Sequence, residues 1–324
     1  MPSAFPLTPG QRGDAVRDLQ RRLAAAGHAP VGQVPGVYCP ATEVAVRSFQ
    51  AARGLRDHGQ CDEHTWTALV EASWRLGDRT LYLTSPNLRG DDVAELQTVL
   101  TRLGFDTGRV DGIFGPRTAR ALDDFQTNCG LRPDAVCGPA TVQALRRVAG
   151  QTGDGPGVAV VRERESLRTI GRSIAASRVV VGQFGGLSAL ARSVARDLRR
   201  HGATVVTLDE PDALVQAAAA NQFGAHVYLG LETRPEPTAV VHFYRVPAFE
   251  SVAGRTLAEA LTTELGQLLG VSARTEGMRL PILRETRMPA VLVSVGPPRR
   301  VLDASHVVTT AITAALEVWI SRAT

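Results

Sequence analysis

At 324 residues the chain is long enough for two or three domains. Its 44% hydrophobic and 21% charged residues describe a globular protein, and no stretch approaches the ~18 uninterrupted apolar residues of a membrane span. The net charge is only +4, every basic residue is Arg, and the pairs Arg21-Arg22, Arg146-Arg147, Arg199-Arg200 and Arg299-Arg300 lie scattered without interleaved aromatics, which excludes a nucleic-acid-binding stripe.

The start, Met1-Pro2-Ser3-Ala4-Phe5-Pro6, has no basic region, apolar core or small-residue cleavage site, so a cytoplasmic protein with no membrane insertion is expected. The four cysteines, Cys39, Cys61, Cys129 and Cys137, form no C-x-x-C pair. Cys61 and Cys137 fall where a small apolar side chain would pack, so buried free thiols are expected.

In chain order, the first feature is a motif written twice. One copy runs Gly13-Asp14-Ala15-Val16, Leu19-Gln20, Gly36-Val37-Tyr38-Cys39-Pro40-Ala41-Thr42, Phe49-Gln50, Gly54-Leu55 and Cys61 to Thr65. The other runs Gly90-Asp91-Asp92-Val93, Leu96-Gln97, Asp111-Gly112-Ile113-Phe114-Gly115-Pro116-Arg117-Thr118, Phe125-Gln126, Gly130-Leu131 and Cys137-Gly138-Pro139-Ala140-Thr141. Phe49 to Phe125 and Thr65 to Thr141 are both 76 positions apart, the mark of a tandem duplication over 8–76 and 84–149.

Each copy predicts three helices. In the second, Asp91 or Asp92 caps a helix carrying Val93, Leu96, Val99, Leu100 and Leu103, and Gly104 ends it. Asp111-Gly112 makes a turn, Pro116 opens a helix with Ala119, Leu122 and Phe125, and a third helix carries Val142 and Leu145. The first copy repeats this with Val16, Leu19 and Leu23, then Val44 and Phe49, then Trp66 and Leu69.

Residues 150–157 read as a Gly-rich linker. Beyond it, in 158–324, apolar strands at Val179–Val181, Thr204–Leu208, His226–Leu231, Ala239–Tyr244 and Ala290–Val295 alternate with helices at Leu187–Arg200, Pro211–Phe223, Arg255–Leu269 and Ala304–Ile320. That alternation predicts an α/β domain with a parallel or mixed sheet covered by helices on both faces.

The doubled G-D-x-V-x-x-L-Q, D-G-x-F-G-x-x-T, F-Q pattern resembles the peptidoglycan-binding domain of cell-wall hydrolases. The order of elements, with the segment Leu283 to Gly296, resembles the zinc-dependent N-acetylmuramoyl-L-alanine amidases. The resemblance implies a multidomain chain: two small all-α repeats followed by an amidase-like domain. It also implies a zinc held by His, Glu and His, with a separate Glu as general base.

Those four positions are altered here. Phe184 stands for the first His, Leu187 lies nearest the ligand Glu, Glu232 takes the place of the second His, and Ser294 replaces the base. Phe and Leu offer a metal no lone pair, and one carboxylate does not hold zinc at useful affinity. No catalytic residue, metal or cofactor is therefore expected, zinc belonging only to the alternative of an active amidase. His226 and His242 lie on strands and read as ordinary structural histidines. Residues proposed to contact a ligand are Asp111, Phe114, Arg117 and Arg132 in the second repeat, with Glu232 and Arg234 at the mouth of the altered cleft; turn chemistry competes with ligand binding at Asp111.

The joined architecture is similar to actinobacterial regulators of peptidoglycan precursor synthesis. It implies a non-catalytic protein that binds a peptidoglycan fragment or precursor, or contacts the enolpyruvyl transferase MurA under kinase control. This chain ends at Ala323-Thr324 directly after the helix expected there, and the extended tail on which such phosphorylation can fall is not expected, which leaves kinase control open.

Overall fold

The computed structural model describes residues 5–149, 173–246 and 249–322; the linker expected at 150–157 and the start of the 158–324 domain lie outside these residues. The chain forms two compact units.

In the first unit, repeat 1 folds as α1 (Asp14–Ala25), α2 (Pro40–Ala52) and α3 (Glu63–Glu71). Repeat 2 folds as α4 (Asp91–Arg102), α5 (Pro116–Asn128) and α6 (Pro139–Ala149). Pro40 and Pro116 occupy the first turn of their helices, where a missing N–H costs nothing. Gly104 takes φ +94° just past α4, a conformation that strains any residue with a Cβ. Each repeat closes on itself through a short antiparallel bridge, Leu7 with Cys61 and Leu81 with Cys137.

The two cores match position for position. Val16, Leu19, Leu23, Tyr38, Phe49 and Leu69 are buried in repeat 1; Val93, Leu96, Leu100, Phe114, Phe125 and Leu145 are buried in repeat 2. Two expectations are corrected. Val44 is 66% exposed, because α2 turns Ala45 and Val46 inward instead. The N-cap of α4 is Gly90, not Asp91 or Asp92; the Asp92 carboxylate turns away to pair with Arg79.

A glutamine recurs as a staple. In repeat 2, Gln97 Nε2 faces Asp111 Oδ1, Ile113 O and Thr118 Oγ1 at 3.0 to 3.1 Å, while its Oε1 accepts from the N–H of Asp111 and Gly112. Gln126 does the same for Asp134, Ala135, Val136 and Thr141. Gln20 and Gln50 hold the matching turns of repeat 1. Each glutamine follows a core Leu or Phe, so one dipeptide sets both packing and loop geometry.

The second unit carries a seven-stranded mixed sheet. Its strands are β1 (Arg178–Phe184), β2 (Thr204–Leu208), β3 (Val227–Thr233), β4 (Ala239–Val246), β5 (Phe249–Glu250), β6 (Ala273–Met278) and β7 (Ala290–Val295). The path runs β2-β1-β3-β7-β4-β5, with β6 also pairing β4. Strands β1, β2, β3 and β7 are mutually parallel, and β4 enters antiparallel to β7.

The helices are α7 (Ser188–Arg200), α8 (Ala213–Phe223), α9 (Val252–Leu269), α10 (Pro281–Glu285), α11 (Pro298–Asp303) and α12 (Ser305–Arg322). One sheet face, with Val179, Val181, Leu229, Leu231, Val241, Val291 and Val293, belongs to one core with α7, α9 and α12 residues such as Leu190, Leu257 and Ile312. Gly182 lies on the opposite face. A Cβ there would stand 2.0 Å from Gln216 Oε1 and 2.2 Å from the Tyr228 hydroxyl, which hydrogen-bond each other, so only glycine fits.

Candidate functional site

Strand register builds the site. Phe184 pairs with Glu232, Glu232 with Ser294, and Ser294 with Val240. These residues therefore form one row across β1, β3, β7 and β4, at the carboxyl ends of the three parallel strands, where open α/β sheets place their ligands. Just after β7, a Cβ at Gly296 would meet the Arg234 carbonyl oxygen at 2.0 Å, so only glycine fits against the β3–β4 connection.

The side chains in the row form a polar chain. Ser294, fully buried, donates its hydroxyl to Glu232 Oε1. The same Oε1 lies 3.7 Å from Arg234 Nη2. Arg234 Nη2 in turn reaches His242 Nε2 at 3.4 Å, and His242 Nδ1 faces Glu276 Oε2 at 3.5 Å. A guanidinium has only donors, so Nε2 accepts and the ring proton sits on Nδ1, toward Glu276.

The catalytic zinc of the amidases can be tested against these groups. Glu232 is flanked by a hydroxyl and a cation, and its neighbour Phe184 supplies no donor. Among the described residues no three His, Cys, Asp or Glu side chains gather as a metal site. The donor set does not fit the ion. Ser294 is also no replacement nucleophile, because a substrate carbonyl does not reach a fully buried Oγ.

The other candidates are placed as follows. Leu187 is fully buried in the sheet core, where its N–H caps Gln183 Oε1, so it does not face the row. Phe114 is a core ring of repeat 2 and presents nothing to a ligand. Asp111 Oδ1 accepts from the Ile113 N–H and from Gln97, which is turn chemistry. Arg117 lies against Gly108 and is exposed, as is Arg132. His226 sits at the entry of β3, its Nδ1 accepting from the Arg178 N–H at 3.3 Å; burial, then the neighbouring Arg178, holds its pKa below the usual histidine value. Sequence reasoning missed the pairing of His242 with Arg234 and Glu276, since it depends on the register of β4 and β6.

The putative peptidoglycan-binding domain matches residues 12–69 and 89–145. N-acetylmuramoyl-L-alanine amidase CwlM of Mycobacterium tuberculosis is 33% identical over 89% of this chain and 80% of its own length. The chain belongs to the CwlM family of N-acetylmuramoyl-L-alanine amidases. A probable N-acetylmuramoyl-L-alanine amidase of Bacillus licheniformis is 34% identical over 43% of this chain and 44% of its own length. Among solved structures, the amidase Ami1 of Mycobacterium smegmatis overlaps 46% of this chain and 99% of its own at 12% identity, with a TM-score of 0.39. Membership of the CwlM family fixes the relationship to peptidoglycan amidases.

Proposed function

We propose that the protein is a non-catalytic amidase relative that binds peptidoglycan fragments or precursors and regulates cell-wall synthesis. The observation that carries this is the register row, in which Ser294 and Arg234 engage Glu232 where amidases coordinate a metal. Fold does not imply activity; the site does. The site here lacks both the donor set for zinc and a base positioned to activate water. The matched repeats support a peptidoglycan ligand.

A cytoplasmic location belongs to the same proposal. The partner implied by the resemblance is a MurA-type enolpyruvyl transferase. Co-purification of the two proteins, with transferase activity measured with and without this chain, tests that part directly.

A second reading, an active zinc amidase, is favoured by the names its relatives carry. Metal analysis separates the two. The proposal expects no stoichiometric zinc and no release of peptide from muropeptides. About one zinc per chain, removed by chelator together with amide cleavage, would sink it.

A further inference from the structure

Strand β2 ends the sheet path, and among the described residues no strand pairs its outer side. It runs parallel to β1, from Thr204 opposite Arg178 to Leu208 opposite Gly182. Successive residues of a strand turn their backbone groups to opposite sides. The Thr204 N–H donates to Ser177 O, so Thr204, Val206 and Leu208 face β1, while Val205 and Thr207 direct their N–H and C=O outward. The Val205 carbonyl accordingly meets a side chain, Arg199 Nη2 at 2.7 Å, rather than β1.

Open edges are ordinarily blunted by charge, proline or a bulge. Strand β6, which pairs only β4 among the described strands, carries Arg274 and Glu276. Strand β2 reads Thr204-Val205-Val206-Thr207-Leu208, β-branched from Thr204 to Thr207 and without charge or proline. This short sequence is matched to itself in reverse. Set antiparallel to a second β2 about Val206, Val205 of each copy faces Thr207 of the other. Those are the outward-facing residues, so each such pair exchanges both of its N–H···O bonds. Val206, half-buried in the single chain, falls in the non-hydrogen-bonded pair between them, where facing side chains lie closest.

Charge selects the same arrangement. Exposed Arg199 and Arg200 lie just before β2; exposed Asp209 and Asp212, with half-buried Glu210, lie just after it. Antiparallel self-pairing sets the basic end of one copy beside the acidic end of the other, at both ends of the junction, whereas a parallel pairing sets like charges together. Arg199 leaves the Val205 carbonyl on pairing, and the acidic run of the second copy receives it. We infer that β2 is a self-association edge through which two copies of this chain join antiparallel about Val206, their sheets continuing as one. Joining two chains doubles the repeats carried on one particle, which favours a ligand that is itself repetitive.

The test follows the full chain by sedimentation over a roughly hundredfold range of concentration. The average mass is expected to rise from the 34.5 kDa of one chain toward twice that value, and the Val205 and Thr207 amides to exchange more slowly as it does. Thr207→Pro removes an N–H that the fold turns outward, at an edge position where proline is tolerated. It is expected to stay monomeric with unchanged circular dichroism. Arg200→Glu and Glu210→Arg each place like charges together at both ends, and each alone is expected to weaken the dimer at least about tenfold. Mixed in equal amounts they restore it, because every junction again pairs opposite charges. A parent chain that keeps the mass of one copy throughout overturns the inference. So does a Thr207→Pro protein that folds and still dimerises, or a mixture that associates no better than either variant alone. If Thr207→Pro does not fold, the charge-swapped mixture decides.

Discussion

Ser294 and Glu232 are register partners on β7 and β3, and the serine hydroxyl is donated to the carboxylate within the sheet's interior. A buried hydroxyl and carboxylate satisfy each other, so either one alone is a liability. Glu232→Ala and Ser294→Ala are each expected to destabilise the domain by about 1 to 3 kcal/mol. Their double mutant should lose less than the sum, by a coupling of about 1 kcal/mol or more. Urea unfolding of the four proteins measures this; strict additivity would show that the pair does not act as a unit.

The buried charge of repeat 2 makes a sharper case. Asp92 is fully buried and takes two hydrogen bonds from Arg79, at 2.7 and 3.1 Å, while Arg79 also donates to the Arg89 carbonyl and covers the Trp74 ring at 4.5 Å. Removing one partner of such a pair strands the other, at about 3 to 5 kcal/mol. Arg79→Ala is therefore expected to unfold repeat 2 first, whereas Arg79→Ala with Asp92→Asn recovers part of the loss. Hydrogen exchange resolved along the chain would show α4 to α6 opening before the sheet; uniform protection would refute it.

The glutamine staples predict a loss that side-chain size does not explain. Gln97→Leu keeps the volume of a buried side chain but leaves the Asp111 and Gly112 N–H groups without their partner. Each such buried group costs about 1 to 3 kcal/mol. Gln97→Glu keeps an acceptor for the two N–H groups and loses the donor, so it should fall between the parent and Gln97→Leu. Melting temperatures in the order parent, Glu, Leu would agree; Leu at or above the parent would not.

Much of this is legible in the sequence. The repeats were readable because Leu and Phe recur at helical spacing and Pro and Gly punctuate the ends. Phe184, Glu232 and Ser294 stand out through the resemblance to amidase motifs; that they share one row follows from the register of β1, β3 and β7. What failed depends on distance in sequence. Strand β6, Ala273 to Met278, carries Arg274 and Glu276 and a glycine, and it becomes a strand through pairing with β4 rather than through its own composition. The departure of Asp92 from its capping role needed Arg79, thirteen positions away, to be brought beside it. Phe114, expected to contact a ligand, is instead a fully buried ring of the repeat core.

The two repeats should also differ in their response to acid. Asp62 is partly buried, which raises its pKa, but hydrogen bonds from the Thr65 hydroxyl and N–H, with His58 and His64 nearby, outweigh that and hold it below the usual carboxylate value. A group whose folded pKa is depressed stabilises the fold above its unfolded pKa, and the contribution fades as pH falls through the folded value. Repeat 1 should keep the full effect above about pH 5 and lose it progressively below ~3.9. Asp62→Asn still caps the helix but no longer titrates. It should match the parent at low pH and fall behind it near neutrality, where the parent's charged cap also meets the helix dipole. Repeat 2 has Gly138 at the equivalent position, so Gly138→Asp should give it the same acid-sensitive increment. Melting curves of the three proteins from pH 3 to pH 7 test this, and parallel pH slopes for the parent and Asp62→Asn would show that the Asp62 carboxylate is not the titrating group.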